Sequence, residues 1–270
     1  MTDSMTPIIR LTKDLASAAT TLSRGEARFL VDAYYMMQDQ RIRSDAQVRA
    51  LTATEEPHSI LGWLAEQSEN LENQVKRALD KYSMSTELGR WTRSICGIGP
   101  VITAGLMAHI DISKAPTVGH IWSFAGIEPT SKWEKGKKRP WNAELKTLCY
   151  KIGESFVKVQ SNDSDLYGQI YAARKKQEVE RNEAGANAEQ AARVLAEKKI
   201  GKDTDAYAAY STGKLPPAHI HARARRYAVK LFLAHYHEAA YRFELGREAP
   251  NPYPIAILGH AHRIPAPGLQ

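Results

Sequence analysis

The residues best able to do chemistry lie between positions 95 and 139. Ile95-Cys96-Gly97-Ile98-Gly99-Pro100 sets two glycines around one isoleucine, and Val101, Ile102, Ala104, Leu106 and Ala108 follow it at helical spacing. The spacing predicts a short helix ending near Ile95, a tight turn, and a second helix opened by Pro100, whose fixed φ suits a first helical turn. Two glycines would give the turn positive φ and let a ligand approach the backbone closely. Ile98 would plug the space between the two helices. The amides of Gly99 to Ile102, including those of Val101 and Ile102, then lack intrahelical partners and can meet an oxyanion. That is chemistry for holding a phosphate without reading a base. A turn kept for helix packing alone is the alternative.

A second group follows at once. Lys132, Lys135, Lys137, Lys138 and Arg139 crowd one loop against a single acid, Glu134, with Trp133 and Trp141 flanking. Cations with neighbouring aromatic rings can track a phosphate backbone and stack on exposed bases. Further on, His219, Arg223, Arg226 and Lys230 fall at i, i+4, i+7 and i+11, a basic stripe on a predicted helix. A solvated loop and a solvated helix face are the alternatives to nucleic-acid contact.

Other chemistry finds little support. His219/His221 and His235/His237 are two apart on a helix, so their side chains point about 200° apart and cannot easily share a metal. His260 and His262 have no carboxylate near them in sequence. No metal site is assigned. There is no GxxxxGK[ST] loop, no GxGxxG after a strand and no GxSxG elbow, which argues against a nucleotide-driven motor and a hydrolase. The two cysteines, Cys96 and Cys149, form no CxxC pair, so neither a disulfide scaffold nor a thiolate zinc site is expected.

From Gly97 to Lys158 the order of features is Gly-Ile-Gly-Pro, a short helix, Asp111, Phe124-Ala125-Gly126-Ile127-Glu128-Pro129, a basic loop, Asn142, and the amphipathic Leu145–Leu148–Tyr150 helix. The turn resembles a helix-hairpin-helix. The whole order resembles the C-terminal domain of the DEDD-type insertion-sequence transposases, whose members recombine DNA with a guiding RNA. The resemblance implies DNA as partner, with RNA, a second copy of the chain or other recombination proteins as further candidates. It also implies a role in transposition or site-specific recombination. It places Ser131 at the position of the family's nucleophilic serine, although this loop is shorter and lacks the family's Ser/Gly-rich run. No cofactor is expected, unless catalysis is retained, in which case Mg²⁺ is the candidate. The family's N-terminal ribonuclease-H-like domain carries metal-binding acids on strands. Here residues 1–84 read as helical, so that acidic site is expected to be absent and enzymatic activity stays open. A structure-specific repair or nuclease-associated protein and a non-enzymatic assembly protein are the other readings.

The elements that must position these residues are helices. The sequence has 270 residues, 43% of them apolar and 25% charged, the composition of a globular chain rather than a disordered or fibrous one. Thirty-seven Lys and Arg against thirty Asp and Glu leave a net charge of +7, which favours a polyanionic partner. No stretch approaches the ~20 apolar residues of a membrane span, and Met1 to Thr6 do not read as a secretory signal. A cytoplasmic, nucleoid-associated protein is expected. Alternating strand patterns and hairpin dipeptides are missing, so the fold class is all-α with a central helix-hairpin-helix core and long flanking helices. The expected organisation is a helical region at 1–84, whose narrow Leu64–Leu71–Val75–Leu79–Tyr82 stripe suits a coiled coil or simple packing. A hairpin domain at 85–160, a charged helical arm at 161–213, a long helix at 214–249 and a proline-rich tail at 250–270 follow. Gly126-Ile127-Glu128-Pro129 reads as a helix end or as a degenerate second hairpin.

Overall fold

The computed structural model describes residues 11–53, 59–128, 132–251 and 263–269. Among them the chain is helical without strands, as the patterning predicts. The helices are α1 (Lys13–Ala18), α2 (Arg24–Thr52), α3 (Ser59–Met84), α4 (Glu87–Ser94), α5 (Pro100–His109), α6 (Val118–Phe124), α7 (Ala143–Val159), α8 (Leu166–Glu183), α9 (Ala188–Glu197), α10 (Asp205–Ser211) and α11 (Pro217–Leu245). No described helix is long and apolar enough to cross a membrane.

The chain forms two compact units, residues 1–94 with 98–113 and residues 95–97 with 114–270. These boundaries differ from those read in the sequence. The hairpin segment is shared between the units, and the two segments expected as arm and long helix fold into one.

In the first unit, α2 begins with a reciprocal cap. Ser23 Oγ accepts the Glu26 N–H at 3.3 Å, and the Glu26 carboxylate accepts the Ser23 N–H at 2.8 Å. Ala27, Val31 and Tyr34 of α2 meet Leu79 and Tyr82 of α3 and Val101, Ala104, Met107 and Ala108 of α5 in one core. The C-terminal end of the α3 stripe is therefore core, while Leu64 and Leu71 stay exposed. Helix α5 is apolar around nearly its whole circumference and is buried accordingly. Buried Glu72 on α3 accepts from Arg41 Nε at 2.7 Å, so its charge is matched inside the unit.

The second unit is organised on α11, with α6, α7 and α8 packed along it. Phe156, Tyr167 and Phe232 form its centre, with ring centroids 4.9–5.6 Å apart. The segment read as a charged helical arm, either protruding or inserted between packed parts, packs along α11 at α8. Tyr167, Tyr171, Glu178 and Asn182 are buried because one side of α8 packs along α11, while Lys176 and Glu180 on the same helix are exposed. Glu178, 1% exposed, is held by Arg174 and by Arg223 of α11. Asn182 exchanges two hydrogen bonds with the Leu215 backbone. Four histidines of α11 are also used internally. The Tyr167 hydroxyl meets His235 Nδ1 at 2.8 Å and His235 Nε2 meets the Ile264 carbonyl at 2.9 Å, which fits a neutral ring that accepts at Nδ1 and donates from Nε2. His237 bonds the Ala115 carbonyl, His221 bonds Tyr171, and His219 bonds Tyr210.

Candidate functional site

The hairpin turn takes shape from one glycine rather than two. Gly97 has φ +84°, and a Cβ there would come within 3.1 Å of Ser155 Oγ and Val159 Cγ2 of α7. Its carbonyl accepts the Ser155 hydroxyl. Gly99 has φ −87° and ψ 177°, an extended conformation open to any residue, and nothing lies within 4 Å of a Cβ added there. The expectation of positive φ at both glycines is thus corrected, because the chain turns once and then enters α5 through an extended residue. Pro100 stands at the first position of α5, and no side chain caps that end. Ile98 and Val101 are buried and Ile102 is half-buried. The nearest cation is already committed. Arg93 donates to the Ile98 carbonyl at 3.2 Å and pairs with Asp80 of α3 at 3.1 Å. The groove at this place, lined by Asn70, Asn73, Gln74, Lys76, Arg77, Asp80, Arg93 and Pro100, is polar and mixed in charge.

The second unit holds a different kind of site. Two helices each present an i, i+3, i+4, i+7 set to one cavity of about 410 Å³, Ala143, Lys146, Thr147 and Tyr150 from α7 and Ala222, Arg225, Arg226 and Val229 from α11. Residues at that spacing share a face. Arg139 and Trp141 of the basic loop, Ile127 and Cys149 complete the lining, and no carboxylate is among the described lining residues. The helices approach closely because of Gly153, where a Cβ would lie 2.4 Å from Arg225 Cγ.

Local structure fixes the aromatic wall. Helix α6 ends at Gly126 (φ +61°), with Gly126 N–H donating to the Ser123 carbonyl and Ile127 N–H to the Trp122 carbonyl. This is a helix end, not a second hairpin. A Cβ on Gly126 would fall 2.5 Å from Trp141 Cγ, so only glycine lets the indole lie against the turn. Asn142 then caps α7, its Oδ1 accepting the Leu145 N–H at 2.7 Å. Lys146 Nζ sits 3.8 Å from the Trp141 ring centre, and Arg225 lies 4.2 Å from the Tyr150 ring centre while pairing with Glu154. Such cation–π contacts hold flexible cations in place.

The electrostatics follow from cations crowded together. Burial lowers the Lys146 pKa below the usual lysine range, and Arg226 and Arg139 lower it further. Arg226 is solvent-accessible, yet the protein crowded around it lowers its pKa, helped by Arg223 and Arg225. Lys230, whose ammonium is 4.1 Å from the Trp122 ring centre, is lowered by burial and by Arg226, with Glu128 acting in the opposite sense. Cys149 is no nucleophile here, since burial pushes its thiol up to about 12.

The residues singled out in the sequence are thus divided. Arg139 and Arg226 line the cavity, and Lys230 stands beside Arg226 electrostatically. Lys132, Trp133, Lys135, Lys137 and Lys138 are exposed on the basic loop. That loop is a turn around Gly136 (φ +87°), closed by Trp133 Nε1 donating to the Lys137 carbonyl at 2.7 Å and by a Lys137–Glu134 pair at 2.7 Å. Arg223 is directed to Glu178 and Gln190 and does not line the cavity. Gly97, Ile98, Gly99, Val101 and Ile102 form the separate hairpin. Ser131, His260 and His262 lie outside the described residues. Lys146, Tyr150 and Arg225 were missed as site residues. The signal was the matched i, i+3, i+4, i+7 sets on the two helices, of which only pairing in space reveals the meaning. Among the described residues no group of three or more His, Cys, Asp or Glu could hold a metal ion.

Compared with family models, curated proteins and solved structures, the chain finds no match.

Proposed function

We propose that this chain is a DNA-binding protein that grips the phosphate backbone at the α7–α11 groove and acts in DNA transposition or site-specific recombination. The observation that carries the binding reading is the groove itself, in which Arg139, Lys146 and Arg226 converge with no carboxylate among the described lining residues. Cations gathered against their mutual repulsion are stabilised by a polyanion, and phosphates are the anions DNA offers in series. The recombination reading rests on the order of motifs from Gly97 to Lys158. The uncapped start of α5 is a second candidate contact.

The test is binding of labelled duplex, single-stranded and four-way-junction DNA by the full chain across a salt series, with a parallel Mg²⁺ set to expose cleavage. Expected is binding whose logarithm falls linearly with the logarithm of salt. Arg139→Gln/Lys146→Gln/Arg226→Gln should lower the slope by about 2–3, at about 0.7–0.9 per phosphate contact. No binding at low salt to any form, or an unchanged slope in the triple variant, overturns the reading.

Assembly is favoured by one separate observation. Phe29 and Met36, one heptad apart on α2, are 72% and 70% exposed. Light scattering on Phe29→Ser/Met36→Ser checks it. A mass that stays the same as wild type removes this second reading.

A further inference from the structure

We propose that the α7–α11 groove is a receptor for a phosphate monoester, the phosphoryl group found at a nucleic-acid strand end or on a free nucleotide. This deepens the reading above and rests on the same site.

The argument is a count of charge. Arg225 has its carboxylate, Glu154. Arg139, Lys146 and Arg226 have none among the described residues, so three positive charges face one cavity. A backbone diester brings one negative charge, whereas a monoester brings about 1.5–2 at neutral pH, with three acceptor oxygens. A monoester with its adjoining diester therefore matches the groove, and an isolated diester leaves it under-compensated. Shape agrees. A cavity of about 410 Å³ takes a group of nucleotide size. Burial and then neighbouring cations lower both groups, Arg226 and Arg139 acting on Lys146 and Arg223 and Arg225 on Arg226, and a bound dianion relieves that repulsion.

The rings argue for charge over base recognition. Lys146 covers Trp141, which Gly126 also abuts, and Arg225 covers Tyr150. These rings orient cations more readily than they stack bases. Recognition should then be indifferent to the terminal base.

The experiment compares one single-stranded sequence bearing a 5′-phosphate, a 3′-phosphate or hydroxyls at both ends, by fluorescence anisotropy at fixed salt. Parallel thermal melts use a deoxynucleoside monophosphate and inorganic phosphate. At least one phosphorylated end should bind about tenfold tighter than the hydroxyl strand, the order expected for one added charge in a partly buried site. The preference should shrink as pH falls below about 6, where the monoester dianion takes up a proton and becomes a monoanion. Lys146→Gln/Arg226→Gln should abolish it. Thr147→Glu, at an exposed helical position of the lining, should abolish it too by adding a counter-charge, which guards against misfolding of the double variant. Equal affinity of all three strands overturns the monoester inference and leaves DNA binding standing. Stabilisation by the monophosphate or by inorganic phosphate, with no strand bound, upholds the monoester site and overturns DNA binding. No response in any arm overturns both.

Discussion

The hairpin turn and the α7–α11 groove were built from similar-looking sequence, glycines and cations close together, and they end in opposite electrostatic states. At the hairpin, Arg93 is bound to Asp80 and to the Ile98 carbonyl, so the nearest guanidinium braces the turn from within. At the groove, Lys146 is braced by the Trp141 face, which leaves its charge in place where a carboxylate would neutralise it, whereas Arg225 is held by both Tyr150 and Glu154. A cation held by a carboxylate is structural material, whereas one held by a ring remains available to a ligand. Glycine also serves differently. Gly97 makes a turn that packs on Ser155 and Val159, while Gly126 and Gly153 allow close approaches that set Trp141 and Arg225 at the groove.

The largest expected effect tests this contrast directly. Arg139→Gln/Lys146→Gln/Arg226→Gln should cost far more DNA affinity and salt dependence than Lys76→Gln/Arg77→Gln at the groove near Pro100. Salt-series anisotropy on both variants decides it. A greater loss from the Lys76/Arg77 pair would reverse the comparison and return the hairpin to first place.

Next in size is the separation of Arg223 from Arg226, three residues apart on one helix. Arg223→Gln removes one of the two arginines that neutralise buried Glu178. With Arg174 remaining, a stability loss of about 1–3 kcal/mol is expected, with an unchanged salt slope. Arg226→Gln should do the reverse. Urea unfolding and DNA titration on the two variants check it, and a shared phenotype would erase the distinction between structural and available cations.

Gly97→Ala and Gly99→Ala sharpen the reading of the turn. Alanine at Gly97 takes on a left-handed φ, at about 1–2 kcal/mol, and meets Ser155 and Val159. Alanine at Gly99 finds ordinary backbone and open space, so its effect on stability should stay within about 0.5 kcal/mol. If Gly99→Ala unfolds the protein as readily as Gly97→Ala, the assignment of the turn to one glycine is wrong.

Much of this architecture was legible in the sequence because it is local. The 3.6-residue period of Leu145, Leu148, Ile152 and Phe156, the Asn142 cap, and Pro217 with Gly246 bounding α11 are all decided by neighbours in the chain. What was not legible depends on partners far apart. Glu178 and Arg223 are 45 positions apart, so the pair that takes Arg223 out of the basic stripe leaves no trace in spacing. The polarity of α8 read as solvation, when part of it faces a matching helix. Lys146 and Arg226 each sit on ordinary amphipathic helices, and their convergence exists only once Gly153 brings α7 against α11. The serine implied by resemblance, Ser131, lies outside the described residues and gains no geometry.

The smallest effect concerns pH, and it separates the second unit's interior from its groove. His219, His221, His235 and His237 all have pKa values lowered, chiefly by burial. The unfolded chain therefore takes up protons that the folded chain refuses. Stability is full above the ordinary histidine value of about 6.5 and falls as pH drops below it. Asp165, raised by burial, acts in the opposite direction, as the folded chain holds its proton more firmly. With His109 of the first unit lowered by burial as well, five histidines against one carboxyl should leave a lower Tm at pH 5.5 than at 7.5. The lowered carboxyls of Glu72 and Glu178 add their own loss only nearer the carboxylate range. His235→Gln keeps an acceptor for Tyr167 and a donor for Ile264 while removing the titration, so it should flatten the pH dependence. An equally steep dependence in that variant would move the acid sensitivity to other groups. Because none of these histidines is among the described residues that line the groove, Tm and DNA affinity should part company across the range.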